Sequence, residues 1–464
     1  MNVMNKFIEN KTNKADILLI GLHIFIGGIA TLFPFIVTIT IVLTGLLYLV
    51  KYSRNDTRKL QTLIFISYLT GIEILYRAAG VSFLPYELSK YVQIGFILIN
   101  LFIARTWFNS FVGILLVILM LPSLILFPAN LFKYFIFNSL GIFSLAVFIA
   151  YTGKEKIIFP DFVKVLKSFL LPCISFVTFI TIKTPEFADI DFSLGANFET
   201  TGDFGANQVA TLLGAAICFL IIMTEKKTYL GHRLITFGFM AYFFLRALLS
   251  FSRGGIIGLL LSFMLSFLLF KKIKQAAVIK FGIAVVLFSV VFVITNSLTG
   301  GALLLRYQGE TEGTIAGNKE KNFENLSSGR SSYAEVDVAM WFDNIALGVG
   351  PGNSQFTRFK YGLYDESAPH TEATRLLAEN GIFGLFINLL LVFWPMYIVY
   401  KTYDRDIRFI KSILFIFAYA TTFHSAIRSG LTPLFYGLAS MDILPSYYLP
   451  ADKKINIPLS EVDH

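Results

Sequence analysis

The chain has 464 residues, of which 55% are hydrophobic and 15% charged, with a mean hydropathy of +0.68. A soluble protein of this size carries about 25% charged residues, so the composition excludes an ordinary globular domain. The net charge of +9 does not mark a nucleic-acid binder, because the Lys and Arg residues sit in short loops between apolar runs.

Those runs have bilayer-spanning length and lack the strict alternation of barrel strands, so they predict helices. The expected fold is an all-α polytopic membrane protein of 12–14 spans, forming one integral membrane domain over residues 1–464. In chain order the runs are 16–33, 34–50, 60–79, 90–104, 110–127, 132–151, 165–182, 205–224, 232–250, 254–271, 276–296, 373–400, 408–427 and 430–449. No cleavable signal peptide is evident, and the first run reads as a retained anchor. Cys173 and Cys218 both lie inside apolar runs, which argues against a disulfide framework or a metal site.

Lysine and arginine in short loops set the orientation. With the N-terminus inside, alternation gathers Lys51–Lys59, Arg105, Lys154–Lys167, Lys226–Arg233, Lys271–Lys280 and Lys401–Lys411 on the cytoplasmic side. The acidic loop Glu186–Asp203 and the long polar segment 296–372 then fall outside. That segment has room for short helices but is too small for a core of its own.

Basic residues on the outer side draw the chemistry. Arg253, in Ser252-Arg253-Gly254-Gly255, sits in a tight turn between two apolar runs. An interfacial arginine reaching for headgroups fits this place. So does a guanidinium brought close to an anion by its glycines. Arg246 lies seven residues earlier on roughly the same helix face, where a charge demands a partner or a wet cavity. Arg330 follows Ser327-Ser328-Gly329 at the head of a helical pattern, where a solvated loop arginine beside a serine cap is the plainer account. His370 stands where segment 296–372 re-enters the membrane, as a cap or as a general base. Gly348-Val349-Gly350-Pro351-Gly352 lacks the following Lys-Ser/Thr of a P-loop and reads as a turn that sets Arg330 against His370. Asp189 and Asp191 fit a solvated acidic loop better than a metal site.

The order of these elements resembles the O-antigen ligase and O-antigen polymerase superfamily. Ser252-Arg253-Gly254-Gly255 resembles its Ser-Arg-Gly signature. Gly348-x-Gly350-x-Gly352-Asn353, then His370, then Leu376-x-x-Glu379-x-Gly381-x-x-Gly384 is similar to its C-terminal signature. Gly202-Asp203-Phe204-x-x-Asn207 resembles an upstream element, with Ala206 where many members have proline. The likeness covers residues 195–395. It implies a GT-C-like glycosyltransferase of the bacterial inner membrane, working on its outer face without metal or cofactor and inverting the anomeric centre. The implied partners are an undecaprenyl-diphosphate-linked glycan as donor, a lipid A core sugar or second lipid-linked repeat as acceptor, and membrane lipids, with no nucleic acid. By motif, Arg253 and Arg330 resemble the diphosphate-binding arginines, and His370 resembles the histidine near the acceptor. Arg246, Asn207, Gly350 and Gly352 are carried as substrate-binding expectations. Ligase and polymerase are not separated by these residues. A small-anion transporter is the less favoured reading, because no internal repeat is present.

Overall fold

A computed structural model describes residues 2–445 except 53–57, 82, 105–109, 127–131, 271–274, 365–370 and 425–426; side chains of 2–12, 104, 276, 277, 280 and 323 are not described. Among the described residues, fourteen helices run back and forth through the body. They are α1 (Asn2–Ala30), α2 (Phe35–Tyr52), α3 (Arg58–Ala78), α4 (Leu88–Ala104), α5 (Phe111–Met120), α6 (Phe132–Thr152) and α7 (Phe159–Lys183), followed by α8 (Ala206–Glu225), α9 (Arg233–Leu249), α10 (Arg253–Phe270), α11 (Gln275–Leu298), α17 (Glu372–Lys401), α18 (Arg405–Thr421) and α19 (Leu431–Ser440). Eight of them are long and apolar enough to cross a membrane on their own, and two shorter apolar stretches lie at 88–103 and 111–126. The chain is therefore an all-α multi-pass membrane protein, as the hydropathy pattern predicts.

The polar segment between α11 and α17 folds into short helices: α12 (Ala302–Tyr307), α13 (Glu312–Ile315), α14 (Phe323–Ser327), α15 (Arg330–Asp343) and α16 (Ser354–Thr357). They cap one face of the bundle.

Contacts between loops sort the helix ends onto two faces. On one, Lys59 pairs with Glu155 at 2.6 Å and Lys226 with Asp406 at 2.7 Å. There a short parallel pair joins β1 (Lys156–Ile158) to β2 (Asp442–Leu444). On the opposite face, Arg77 reaches Gln208, Asn197 N–H donates to the Ser250 carbonyl, and Glu372 N–H donates to the Thr422 carbonyl. This alternation matches the predicted order of spans.

Two helices depart from a simple span. α19 has only 10 residues, about 15 Å of helix. The loop before it is consequently sunk into the bundle. His424 in that loop meets Thr211, five residues inside α8, and Gly430 N–H donates to Glu73, five residues from the end of α3. Both helices place the loop about 7–8 Å below their ends.

α17 is the second. Its apolar run reads as one helix from the sequence, but the backbone breaks at Gly381 (φ 58°, ψ −132°), a region open essentially to glycine alone. The chain doubles back there. Asn388 donates to the Ala373 carbonyl at 3.0 Å, although a straight helix would hold residues 15 apart about 22 Å from each other. A β-carbon on Gly384 would overlap the Leu376 carbonyl oxygen. Residues 372–380 therefore form a half-helix rising from the sunken floor to Gly381, and residues 382–401 descend beside it.

Candidate functional site

The floor is built from polar residues held at depth. Phe251 takes a left-handed conformation (φ 56°), rare for an aromatic residue, and its ring is fixed by stacking on Phe192. The turn it makes lets Ser252 donate to the Asn207 side chain at 2.7 Å and starts α10 at Arg253. Gly254 follows where a β-carbon would overlap the His424 ring, so no larger residue fits beside the floor loop. His424 is buried, with Nε2 2.7 Å from Thr211 Oγ1.

Arg253 is only 7% exposed. Its guanidinium donates to the Arg306 carbonyl at 3.0 Å, the Asn325 carbonyl at 2.8 Å and Ser328 Oγ at 2.7 Å. It thereby fastens α12 and α14 over the head of α10. Arg306 shares Ser328 Oγ at 3.4 Å. Ser328 (φ 57°) and Gly329 (φ 78°) are both left-handed, and this double turn delivers Arg330 as the first residue of α15. Arg330 donates to the Ser327 carbonyl at 3.3 Å.

The partners of these three guanidiniums are neutral oxygens. No carboxylate among the described residues lies within ion-pair distance of Arg253, Arg306 or Arg330. Arg306 Nε and Arg330 Nε are buried without any hydrogen-bond partner among those residues. Burial, then the Arg253 and Arg330 charges, push Arg306 down to about 10. Burial, then Arg253 and Arg428, push Arg330 down to about 10. These are the marks of a positive site short of a counter-ion, an arrangement able to hold an anion.

The predicted residues that the structure describes fall into three groups. Arg253 and Arg330 converge, with Asn207 behind them as a brace on Ser252. Arg246 lies apart: its guanidinium donates to the Ile180 carbonyl, Thr184 Oγ1 and the Thr200 carbonyl at 3.0, 2.6 and 2.7 Å, none of them a partner of Arg253. It clamps the loop after α7. Gly350 (φ 93°) and Gly352 (φ 81°) are packed against backbone, since β-carbons there would meet Leu126 O at 2.6 Å and Phe135 N at 3.0 Å. Their turn is pinned to the half-helix by Val349 N–H on Ala378 O and Gly350 N–H on Glu379 O. They hold the scaffold of the site. His370 lies outside the described residues; Thr371, next in the chain, is buried.

The sequence reading placed Arg306 in the outer segment but assigned it no role. In Ala302-Leu303-Leu304-Leu305-Arg306-Tyr307 it looks like an arginine closing an apolar run. The available signal was its place in the same outer segment as Arg330. A buried ionic network on the half-helix was also unforeseen. Arg375 pairs with Glu372 and, at 2.6 Å, with Glu379. Glu379 also accepts from Ser354 at 2.7 Å. Asp337 on α15 accepts from Thr374 at 3.0 Å and pairs with Arg358 at 3.4 Å. Burial, the largest effect, pushes Asp337 up to about 6. The network locks α15, and with it Arg330, to the half-helix.

Residues 238–389 match the family model described as O-antigen ligase. No curated protein matches the chain significantly. The matched span starts in α9 and ends in α17, so it contains all three arginines, the glycine turn and the half-helix.

Proposed function

We propose that this multi-pass membrane protein, whose residues 238–389 match the O-antigen ligase family model, transfers a glycan from undecaprenyl diphosphate to an acceptor hydroxyl in the arginine-lined well. The acceptor is a lipid A core sugar. The well faces the periplasm from the bacterial inner membrane, because the opposite face gathers the short basic loops.

One observation carries the reading: Arg253, Arg306 and Arg330 come from three separate stretches, meet at a sunken floor and find no carboxylate there among the described residues. The donor already carries its leaving group, so the barrier lies in charge building on the diphosphate and in the acceptor proton. Guanidiniums fixed before the reaction stabilise that charge without rearranging. Arg253 is fixed by three hydrogen bonds, and Arg330 by a helix start and the Asp337 network. The acceptor oxygen bonds to the anomeric carbon from the face opposite the diphosphate, and the bond from that carbon to the phosphate oxygen breaks. Undecaprenyl diphosphate leaves, the anomeric centre inverts, and the acceptor proton passes to His370. General-base help of this kind is worth about 10²–10⁴-fold.

The test is purified protein in nanodiscs with lipid-linked oligosaccharide and two alternative acceptors. Glycan on lipid A core identifies a ligase, and a longer lipid-linked chain identifies a polymerase. Arg253→Ala and His370→Ala are expected to abolish transfer while the protein stays folded. Transfer retained by either variant refutes its assignment.

A further inference from the structure

We infer that Tyr86, with Gln208, forms a platform for a sugar ring beside the arginine well. The inference rests on the proposed glycan transfer and names a specificity contact for it. Tyr86 lies in the loop between α3 and α4, on the face of the well, and is 43% exposed. A tyrosine so exposed is ordinarily free to move. This one is held at its carbonyl, at its hydroxyl and over one face of its ring. Its carbonyl accepts from Arg77 Nε at 2.9 Å and from the Tyr76 hydroxyl at 3.1 Å. One face of its ring is covered by the Arg77 guanidinium, 3.9 Å from the ring centroid. Arg77 is itself anchored to Glu73 at 2.5 Å and to Gln208 Oε1 at 3.0 Å. Gln208 Nε2 donates to the Tyr86 hydroxyl at 3.1 Å.

An amphipathic tyrosine at a membrane surface turns its hydroxyl to headgroups. Tyr86 turns its hydroxyl inward, to a residue adjoining Asn207, the brace of Ser252-Arg253. Arg428 links the two places: its carbonyl accepts from Arg77 at 3.4 Å, beside Tyr86, and its charge acts on Arg330. A rigid aromatic face beside an anion site suits a pyranose attached to, or approaching, a phosphate. The apolar C–H face of the sugar covers the ring, and its hydroxyls meet the Gln208 amide. That chemistry is common to the first sugar of the donor and to the terminal sugar of the acceptor.

The experiment separates the two sources. Binding of undecaprenyl diphosphate and of undecaprenyl-diphosphate N-acetylglucosamine is measured in nanodiscs for wild type, Tyr86→Ala, Tyr86→Leu and Tyr86→Phe. KM for the acceptor glycan is measured in the transfer reaction. Alanine and leucine retain the backbone carbonyl that Arg77 and Tyr76 grip, so the loop stays in place. Both are expected to weaken the sugar-bearing lipid, or to raise acceptor KM, at least 10-fold. Phenylalanine should stay within about 3-fold, and binding of the sugar-free lipid should be unchanged in all three. The first effect assigns the platform to the donor and the second to the acceptor. Wild-type behaviour of Ala and Leu in both measurements overturns the inference, as does an equal loss for both lipids. Arg253→Ala in the same assay tests the diphosphate reading separately, through its binding of the sugar-free lipid.

Discussion

Replacing Arg306 by glutamine should make the empty protein more stable and the donor site weaker. Arg306 is half-buried, its Nε lacks a partner, and the Arg253 and Arg330 charges press on it. Like charges about 4 Å apart cost about 1 kcal/mol in water and several times that inside a protein. With solvent screening at a half-buried position, relief of about 1–2 kcal/mol is expected. In a protein of this size that corresponds to a rise in Tm of about 1–4 °C. Glutamine retains a donor for Ser328 but carries no charge. Losing one charge-assisted hydrogen bond to a diphosphate costs about 1.5–3 kcal/mol, roughly 10–100-fold in Kd. The assay is thermal unfolding in nanodiscs, without ligand and across a titration of undecaprenyl diphosphate. Added ligand should stabilise wild type more than Arg306→Gln, so the order of the two Tm values should narrow or reverse. A ligand-free variant less stable than wild type, or one with wild-type Kd, would refute the reasoning.

Gly384→Ala should destabilise the protein by at least about 2–3 kcal/mol and abolish transfer, because its methyl overlaps the Leu376 carbonyl and forces the half-helix away. Gly282→Ala in α11, where a β-carbon meets nothing within 4 Å, is the control and should unfold at or slightly above the wild-type temperature. Asp337 predicts a pH effect: with its folded pKa raised from 3.8 to about 6, the native state holds the extra proton between those values. Its stabilising share is full below about pH 4 and is lost as pH rises through about 6, by about 2–3 kcal/mol. Asp337→Asn should lack that fall in a series of unfolding curves from pH 4 to 7, and a fall of equal size in the variant would assign it to another group.

The spans were legible because a bilayer imposes a length and an apolar composition on each crossing, and these are written locally. Arg253 and Arg330 were legible for a related reason: each stands at a turn marked by serine and glycine. Arg306 was not, because its meaning comes from neighbours brought in by Asn325 and Ser328. The half-helix was hidden by its own hydropathy. Even so, α17 has 30 residues, about 45 Å of helix against an apolar layer of about 30 Å. Glu372, Arg375, Glu379 and Asn380 also crowd its first third. The excess length and the misplaced charge together point to a reversal at Gly381. Arg246 shows the converse case. A charge in a span must be answered, but the answer here is a carbonyl in the last turn of α7, a loop carbonyl and a threonine, which periodicity cannot foresee.

The recessed floor bears on how the product is measured out. A substrate lowered down a shaft presents only its tip to the reactive groups, and whatever trails behind remains outside. For the proposed transfer, a floor at this depth is blind to the size of the cargo: a short glycan and a very long one look the same from the bottom. Under that proposal, control of polymer length belongs to something that grips the strand above the rim.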